Sequence, residues 1–377
     1  MKISYVTTYN ARNIHEWSGT GYYVAKSLEA QGLEIDYVGN LNIKDEMFFK
    51  AKQWFYKILG KRYHRYREPF VAKDYAKQIL QKLPASTDVI FAPGSLPIAY
   101  LNIDKPIVFY DDATFSGMID YYDAFSGLCA ETIKKGKKIE QQTLDNCALA
   151  IYASEWAAET AITKYNVSPS KVKVIPLGAN IECTRTITDI KEILKHKPQS
   201  ICKLLFIGVD WIRKGGNIAL ETAKLLNKRG IKTELHIAGI PDMPIKNLPS
   251  YVKSYGFISK STPEGKKKLD ALMAQSHFLI VPSQAEAYGL VFCEASSFGL
   301  PSLATKTGGI PTIIKNNLNG FTFDLDVKAP AYADYIQSKL EDFQAYETLA
   351  LSSFDEYQKR LNWDVAGKQI AQLLEKL

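Results

Sequence analysis

The chain has 377 residues, of which 46% are hydrophobic, 12% aromatic and 23% charged. That balance excludes a disordered polymer, and the length suits about two domains of ordinary size. The net charge of +7 suits an anionic ligand or an anionic membrane surface, and no run approaches the ~18 apolar residues of a spanning helix.

From the first residues, short apolar runs alternate with helical periodicity, the mark of parallel α/β layers. Strands are predicted at residues 3–7, 34–38, 89–92, 107–110, 149–152 and 172–175. The chain opens directly into the first of them with no signal-peptide pattern, so a cytoplasmic protein is expected. Helices are predicted at 22–31, closed by Gly32, at 131–146, and at 155–164 behind a Ser154 cap. The polar stretch 181–200, with Pro198, reads as a linker. The alternation then restarts, with strands at 204–207, 234–238, 278–281 and 301–304. Helices are expected at 217–228, 265–274 and 288–298, then in pieces over 335–362, and last at 366–376. A pattern that stops and restarts implies two doubly wound domains, 1–180 and 201–355, with 356–377 as a closing helical segment. Ligands of such folds lie beyond the carboxyl ends of the strands.

Five scattered cysteines, Cys129, Cys147, Cys183, Cys202 and Cys293, form no Cys-x-x-Cys. They read as reduced thiols, and neither they nor the five dispersed histidines have metal-ligand spacing. No metal and no cofactor are expected.

The most informative stretch is 278–303. An apolar strand leads through Pro282 and a polar loop to Glu286, Gly289 permits a tight turn, and a helix runs on to Gly299 and Pro301. Backbone N–H groups around Tyr288, Gly289, Leu290 and Val291 would form an anion site at the start of that helix. Glu286 before the helix and Glu294 within it suit hydrogen bonds from sugar hydroxyls; alone, a Glu-x7-Glu spacing is weak evidence. A second stretch, 204–216, is a strand ending in a glycine loop, Gly208-Val-Asp-Trp-Ile-Arg213-Lys214-Gly-Gly. It sets two cations where a diphosphate leaving group would need them.

Glu286-Ala-Tyr-Gly-Leu-Val-Phe-Cys-Glu294, with Gly-Leu-Pro at 299–301 and Gly308-Gly309-Ile-Pro, resembles the signature of retaining glycosyltransferases of family 4. Those enzymes have the GT-B fold, two Rossmann-like domains facing across a cleft. The Asp-x-x-Arg-Lys-Gly form is similar to the subgroup that includes lipopolysaccharide-core glucosyltransferases. The resemblance implies that Glu286 contacts the donor sugar, that Glu294 binds the nucleotide ribose, and that backbone amides of 288–291 meet phosphates and sugar. It implies an Arg213-Lys214 pair serving the nucleotide, Ile258 near the base, and a last helix that crosses back to the first domain. The chain departs from the common pattern at Val209, where many members carry arginine, and at Thr312, where many carry glutamate. The loop Ser18-Gly-Thr-Gly-Tyr22 would lie over the cleft, with Gly19 and Gly21 allowing close approach to the donor phosphate and the acceptor. Asp112 either faces the anomeric centre or caps a turn.

The implied reaction is transfer from a nucleoside diphosphate sugar, UDP-linked, to a hydroxyl acceptor such as a glycan, glycolipid or lipid-linked saccharide. The alternatives are a nucleotide-sugar 2-epimerase of the same fold and a non-catalytic sugar-binding or membrane-adaptor protein. Residues 50–67 carry seven cations, Lys50, Lys52, Lys57, Lys61, Arg62, Arg65 and Arg67, without an acidic residue, among Trp54, Phe55, Tyr56, Tyr63 and Tyr66. The segment suits an anionic membrane surface on the cytoplasmic side, or a helix pair with aromatics inward and charges in water. No nucleic acid is expected to bind.

Overall fold

The computed structural model describes residues 1–43 and 46–377. The chain divides into two compact units, Met1–Leu177 with Trp363–Leu377, and Gly178–Asn362.

In the first unit the elements are β1 (Lys2–Val6), α1 (Thr20–Ala30), β2 (Glu34–Val38), α2 (Glu46–Ile58), α3 (Pro69–Lys82), β3 (Val89–Ala92), β4 (Ile107–Asp111), α4 (Phe115–Met118), α5 (Ala130–Asn146), β5 (Leu149–Tyr152), α6 (Glu155–Lys164) and β6 (Val172–Val174). The sheet order is β2-β1-β3-β4-β5-β6, all parallel. Parallel strands covered on both faces read as unbroken apolar runs, and β3 and β5 are buried along their whole length. Ser154 caps α6 by accepting from the Ala157 N–H at 3.2 Å. Gly32, at φ +77°, closes α1.

The second unit runs α7 (Ile187–Lys195), β7 (Cys202–Ile207), α8 (Gly216–Lys228), β8 (Thr233–Ala238), β9 (Val252–Ser254), α9 (Pro263–Gln275), β10 (Phe278–Val281), α10 (Leu290–Ser296), β11 (Ser302–Thr305), α11 (Ile310–Ile313), β12 (Gly320–Phe323), α12 (Ala329–Glu341) and α13 (Phe343–Arg360). Its sheet is again parallel, in the order β12-β11-β10-β7-β8-β9. The stretch read as a linker, 181–200, lies inside this unit and contains α7. A capping box starts that helix: Thr186 accepts from the Asp189 N–H, and Asp189 accepts from the Thr186 N–H. Buried Ile190 and Leu194 anchor its inner face.

The last helix, α14 (Trp363–Leu374), belongs to the first unit, while α13 stays with the second. Trp363 stacks on Tyr23 of α1 at 6.3 Å between ring centres. The contact of α14 with α1 is close at Gly367, where a Cβ would run into the Ser27 backbone carbonyl.

Candidate active site

In the second unit the sheet order places β7 between β10 and β8. Connections leave β7 toward one side and reach β10 on the other, so the loops after β7 and β10 part there, as at the ligand crevices of doubly wound sheets. Both sequence motifs lie on these two loops.

The loops are tied by main-chain and side-chain bonds. Gln284 N–H donates to the Arg213 carbonyl at 2.7 Å, and Arg213 Nη1 donates to the Ala285 carbonyl at 3.1 Å. Gly215, at φ +76°, ends the first loop, and a side chain there would strike the Pro282 carbonyl. Only glycine meets both demands, a left-handed backbone and a bare approach to the neighbouring loop.

Lys214 Nζ donates to Glu286 Oε2, and Arg213 Nη1 lies 3.9 Å from the same oxygen. Ser283 Oγ donates to it at 3.4 Å. Glu286 is 7% exposed. A carboxylate so buried needs a counter-charge, and the two cations chosen from the sequence supply it. Asp210 holds the turn, accepting from the Arg213 N–H at 3.0 Å. Trp211 fixes the loop from below, donating Nε1–H to Asn217 at 2.8 Å.

Gly289, at φ +104°, precedes α10. The Tyr288 side chain is buried and meets the Cys293 thiol at 3.7 Å, so this residue offers the site its backbone. Leu290 and Val291 follow, half-buried, in the first turn. The Gly309 N–H braces the Glu286 carbonyl at 3.1 Å, and Arg360 holds the Thr312 and Ile313 carbonyls at 2.7 and 2.6 Å. The Gly-Gly-Ile-Pro segment is thus tied into the scaffold at both ends.

Glu294, one turn into α10, is fully buried, and both its oxygens accept from Lys260 Nζ at 2.5 Å. Lys260 follows half-buried Ile258 on the segment after β9. The Gly239 N–H at the end of β8 donates to the Gly256 carbonyl at 2.8 Å, and the Gly208 N–H donates to Ala238 at 3.0 Å. Arg213, Lys214, Glu286, Gly208 and Ile258 therefore sit on neighbouring strand-end loops of one unit, and Glu294 on the helix that follows one of them. Sequence reasoning missed Lys260, whose pairing spans 34 positions.

In the first unit, Gly19, at φ +84°, caps α1. The space beside Gly21 is filled by the Tyr9 hydroxyl, and the Gly21 carbonyl accepts from Tyr5 at 2.7 Å. Asp112 lies half-buried beyond β4, its N–H donating to Asp111 Oδ1 at 2.9 Å. Burial, then the charges of Asp112 and Glu140, push the Asp111 carboxyl well above the usual range. Buried Glu140 accepts from Ser95 Oγ at 2.7 Å. Asp111, the neighbour of the position chosen from sequence, thus feels both other carboxyls, and neither Asp111 nor Glu140 was legible in that role.

The basic segment 50–67 divides into two faces. Lys52 pairs with Glu68 at 3.0 Å and Glu131 at 2.5 Å, and Arg62 pairs with Asp123 at 3.1 Å. Arg67 lies over the Phe115 ring at 4.5 Å. Burial raises the Glu131 carboxyl, but hydrogen bonds from Lys135, Lys52 and Tyr56 outweigh it and hold it at about 2. The run is therefore not without counter-charge, which arrives from residues outside it. On the other face Met47, Phe48, Trp54, Phe55, Ile58 and Leu59 are exposed, with Lys57 and Lys61 among them. Among the described residues no helix is long and apolar enough to cross a membrane.

Residues 188–351 match the sequence family of glycosyl transferases, group 1. A D-inositol 3-phosphate glycosyltransferase from an Arthrobacter species is 24% identical over 210 residues, covering 54% of this chain and 50% of that protein. The chain spans about half the length of the curated relatives it matches. Sucrose-phosphate synthase from Thermosynechococcus elongatus superposes with a TM-score of 0.69 at 16% identity, covering 100% of this chain and 98% of that one. Anabaena HepE in complex with UDP and glucose gives 0.65 at 16% identity, with 100% of both chains covered. The fold is GT-B, and the match to the group 1 glycosyl transferases lies in the second unit.

Proposed function

We propose that the chain is a retaining glycosyltransferase of family 4 that moves a sugar from a UDP-sugar to a hydroxyl acceptor. The observation that carries this reading is the convergence of Arg213, Lys214 and Glu286 where the loops after β7 and β10 part, with Glu294 on the helix that follows. The structural neighbour described with UDP and glucose supports the choice of donor.

In this reading Arg213 and Lys214 turn to the diphosphate when the donor enters, joined by the backbone N–H groups of 288–291. Their charge then grows in value as the leaving group forms. Glu286, released from Lys214, accepts hydrogen bonds from the donor sugar, and Glu294 accepts from the ribose. The acceptor oxygen bonds to the anomeric carbon on the face from which the phosphate departs. The carbon–oxygen bond to the phosphate breaks, and that phosphate takes the acceptor's proton. The two cations do the work otherwise given to a metal, and no cofactor takes part. Gly19 and Gly21 are assigned to the approach of donor phosphate and acceptor, Asp112 to the anomeric centre or the orientation of the acceptor, and Ile258 to the base.

The acceptor we assign is a glycan, glycolipid or lipid-linked saccharide at the inner face of a membrane. The exposed apolar and basic face of α2 supports this, because it joins insertable side chains to cations that favour anionic headgroups. Incubation with a panel of UDP-, GDP- and ADP-sugars, with detection of released nucleotide, tests the reaction. UDP should appear, EDTA should not suppress it, and the product should keep the donor's anomeric configuration by NMR. Release only with added divalent metal would contradict the role of the cations, and an inverted product would contradict retention.

A further inference from the structure

The carboxylate of Glu294 presents a chemical problem. It is fully buried on α10, between buried Cys293 and Ala295, yet the group that satisfies it comes from solvent. The Lys260 side chain is 46% exposed, whereas that of Glu294 is 1% exposed. Lys260 Nζ stands 2.5 Å from each carboxylate oxygen. An ammonium equally near both oxygens lies on the plane midway between them. A vicinal diol giving one hydrogen bond to each oxygen would approach from that same side. The carboxylate's other surroundings are the packed interior, so ammonium and diol compete for one opening.

We infer that Lys260 is a displaceable counter-ion that occupies the ribose position when the site is empty and withdraws when a ribose diol takes its place. The inference rests on the reading of Glu294 as the ribose acceptor and adds a residue that sets nucleotide affinity. In the empty protein the ammonium offsets a buried charge that would otherwise cost stability. On binding, two hydroxyl donors replace it and the lysine returns to water. Its stem is already half in solvent, so the exchange moves one side chain on a loop rather than the helix. Part of the binding free energy is thereby spent on parting the pair, and affinity is lower than the same site would give without Lys260.

The test is calorimetric titration of the parent chain, Lys260→Met and Lys260→Arg with UDP, uridine and 2′,3′-dideoxy-UDP. Lys260→Met should bind UDP and uridine more tightly by the same factor, on the order of fivefold, equivalent to about 1 kcal/mol. Its affinity for 2′,3′-dideoxy-UDP should be unchanged, and Lys260→Arg should resemble the parent. Without ligand, Lys260→Met should melt at a lower temperature, and saturating UDP should close most of that gap. Equal UDP affinity in parent and Lys260→Met overturns the inference. Weaker UDP binding with uridine unchanged also overturns it and makes Lys260 a diphosphate ligand. If Lys260→Met binds 2′,3′-dideoxy-UDP as well as UDP, the ribose reading of Glu294 falls first, and the inference with it. Lys260→Gln serves as a second neutral variant should the methionine lower yield.

Discussion

Lys214 on the loop after β7 donates to Glu286 on the loop after β10, so the cation assigned to the leaving group and the carboxylate assigned to the sugar hold each other in the ligand-free chain. Each satisfies the other's charge, and in the proposed reaction the substrate divides them. Substituting either one should therefore change stability and function in ways that can be separated.

Glu286→Gln keeps the shape and removes the charge. Transfer should fall on the order of a hundredfold or more, while UDP binds nearly as in the parent, because the residue is assigned to the sugar. Steady-state turnover and UDP titration on the same preparation check this. Loss of UDP binding with turnover retained would reverse the assignment.

Gly215→Ala should destabilise the second unit. The position has φ +76°, and a Cβ there meets the Pro282 carbonyl. The left-handed backbone alone costs an alanine roughly 1–2 kcal/mol, and the collision forces the two loops apart. Denaturant unfolding should show the loss, accompanied by lower activity in the protein that remains folded. Gly230→Ala, also at positive φ but in open space, should carry the backbone cost alone.

Much of the architecture was legible in the residues. Apolar runs such as 278–281 and 149–152 are strands because strands covered on both faces tolerate no polar break. Ser154 and Gly32 marked their helix ends through local backbone chemistry that needs no tertiary context. What escaped depends on distant partners. Helix α7 lies in a stretch whose mostly exposed residues hide its two buried anchors, Ile190 and Leu194. The short edge strands β9 and β12 carry too few core residues to announce themselves. The cations of 50–67 looked unopposed because Glu68, Asp123 and Glu131 lie outside the run. For the same reason Lys260 gave no sign of Glu294, while the Glu286 and Glu294 positions were marked by the glycine and helix pattern around them.

Lys197 should make the stability of the chain rise as pH is raised from about 7 toward 9, where the buried thiols of Cys147, Cys202 and Cys293, raised from 9.0 by burial, begin to act in the opposite direction. Lys197 is buried, its Nζ donating to the Ser276 carbonyl at 2.6 Å and the Tyr346 hydroxyl at 3.0 Å, and burial lowers its pKa from 10.5 to about 7. Between those values the unfolded chain binds a proton that the folded chain does not, so unfolding is disfavoured as protons become scarce. Below about 7 both states are protonated and the full cost of the buried charge is present. Lys197→Met should flatten the profile of melting temperature against pH over that window. An unchanged slope would show that another group governs it.

The exposed face of α2 should bring the protein to anionic vesicles at low salt. Each cation near such a surface contributes about 1 kcal/mol, and high salt should weaken the contact. Trp54→Ser with Phe55→Ser, and separately Lys57→Gln with Lys61→Gln, should reduce sedimentation with vesicles and leave UDP binding unchanged. Arg62 is paired with Asp123 and is left in place. A parent chain that ignores anionic vesicles at low salt would make this an ordinary solvated face and a soluble acceptor the better reading.

Calorimetric titration of UDP against uridine tests most directly whether the second unit is a nucleotide-sugar site. Arg213→Ala and Lys214→Ala should each lose on the order of tenfold in UDP affinity, since a hydrogen bond to a charged group is worth roughly 1.5–3 kcal/mol, and should bind uridine nearly as the parent does. Glu294→Gln should weaken both ligands, because it is assigned to the ribose they share. A parent chain that binds UDP no better than uridine, or equal losses for both ligands in the Arg213 and Lys214 variants, would contradict the account.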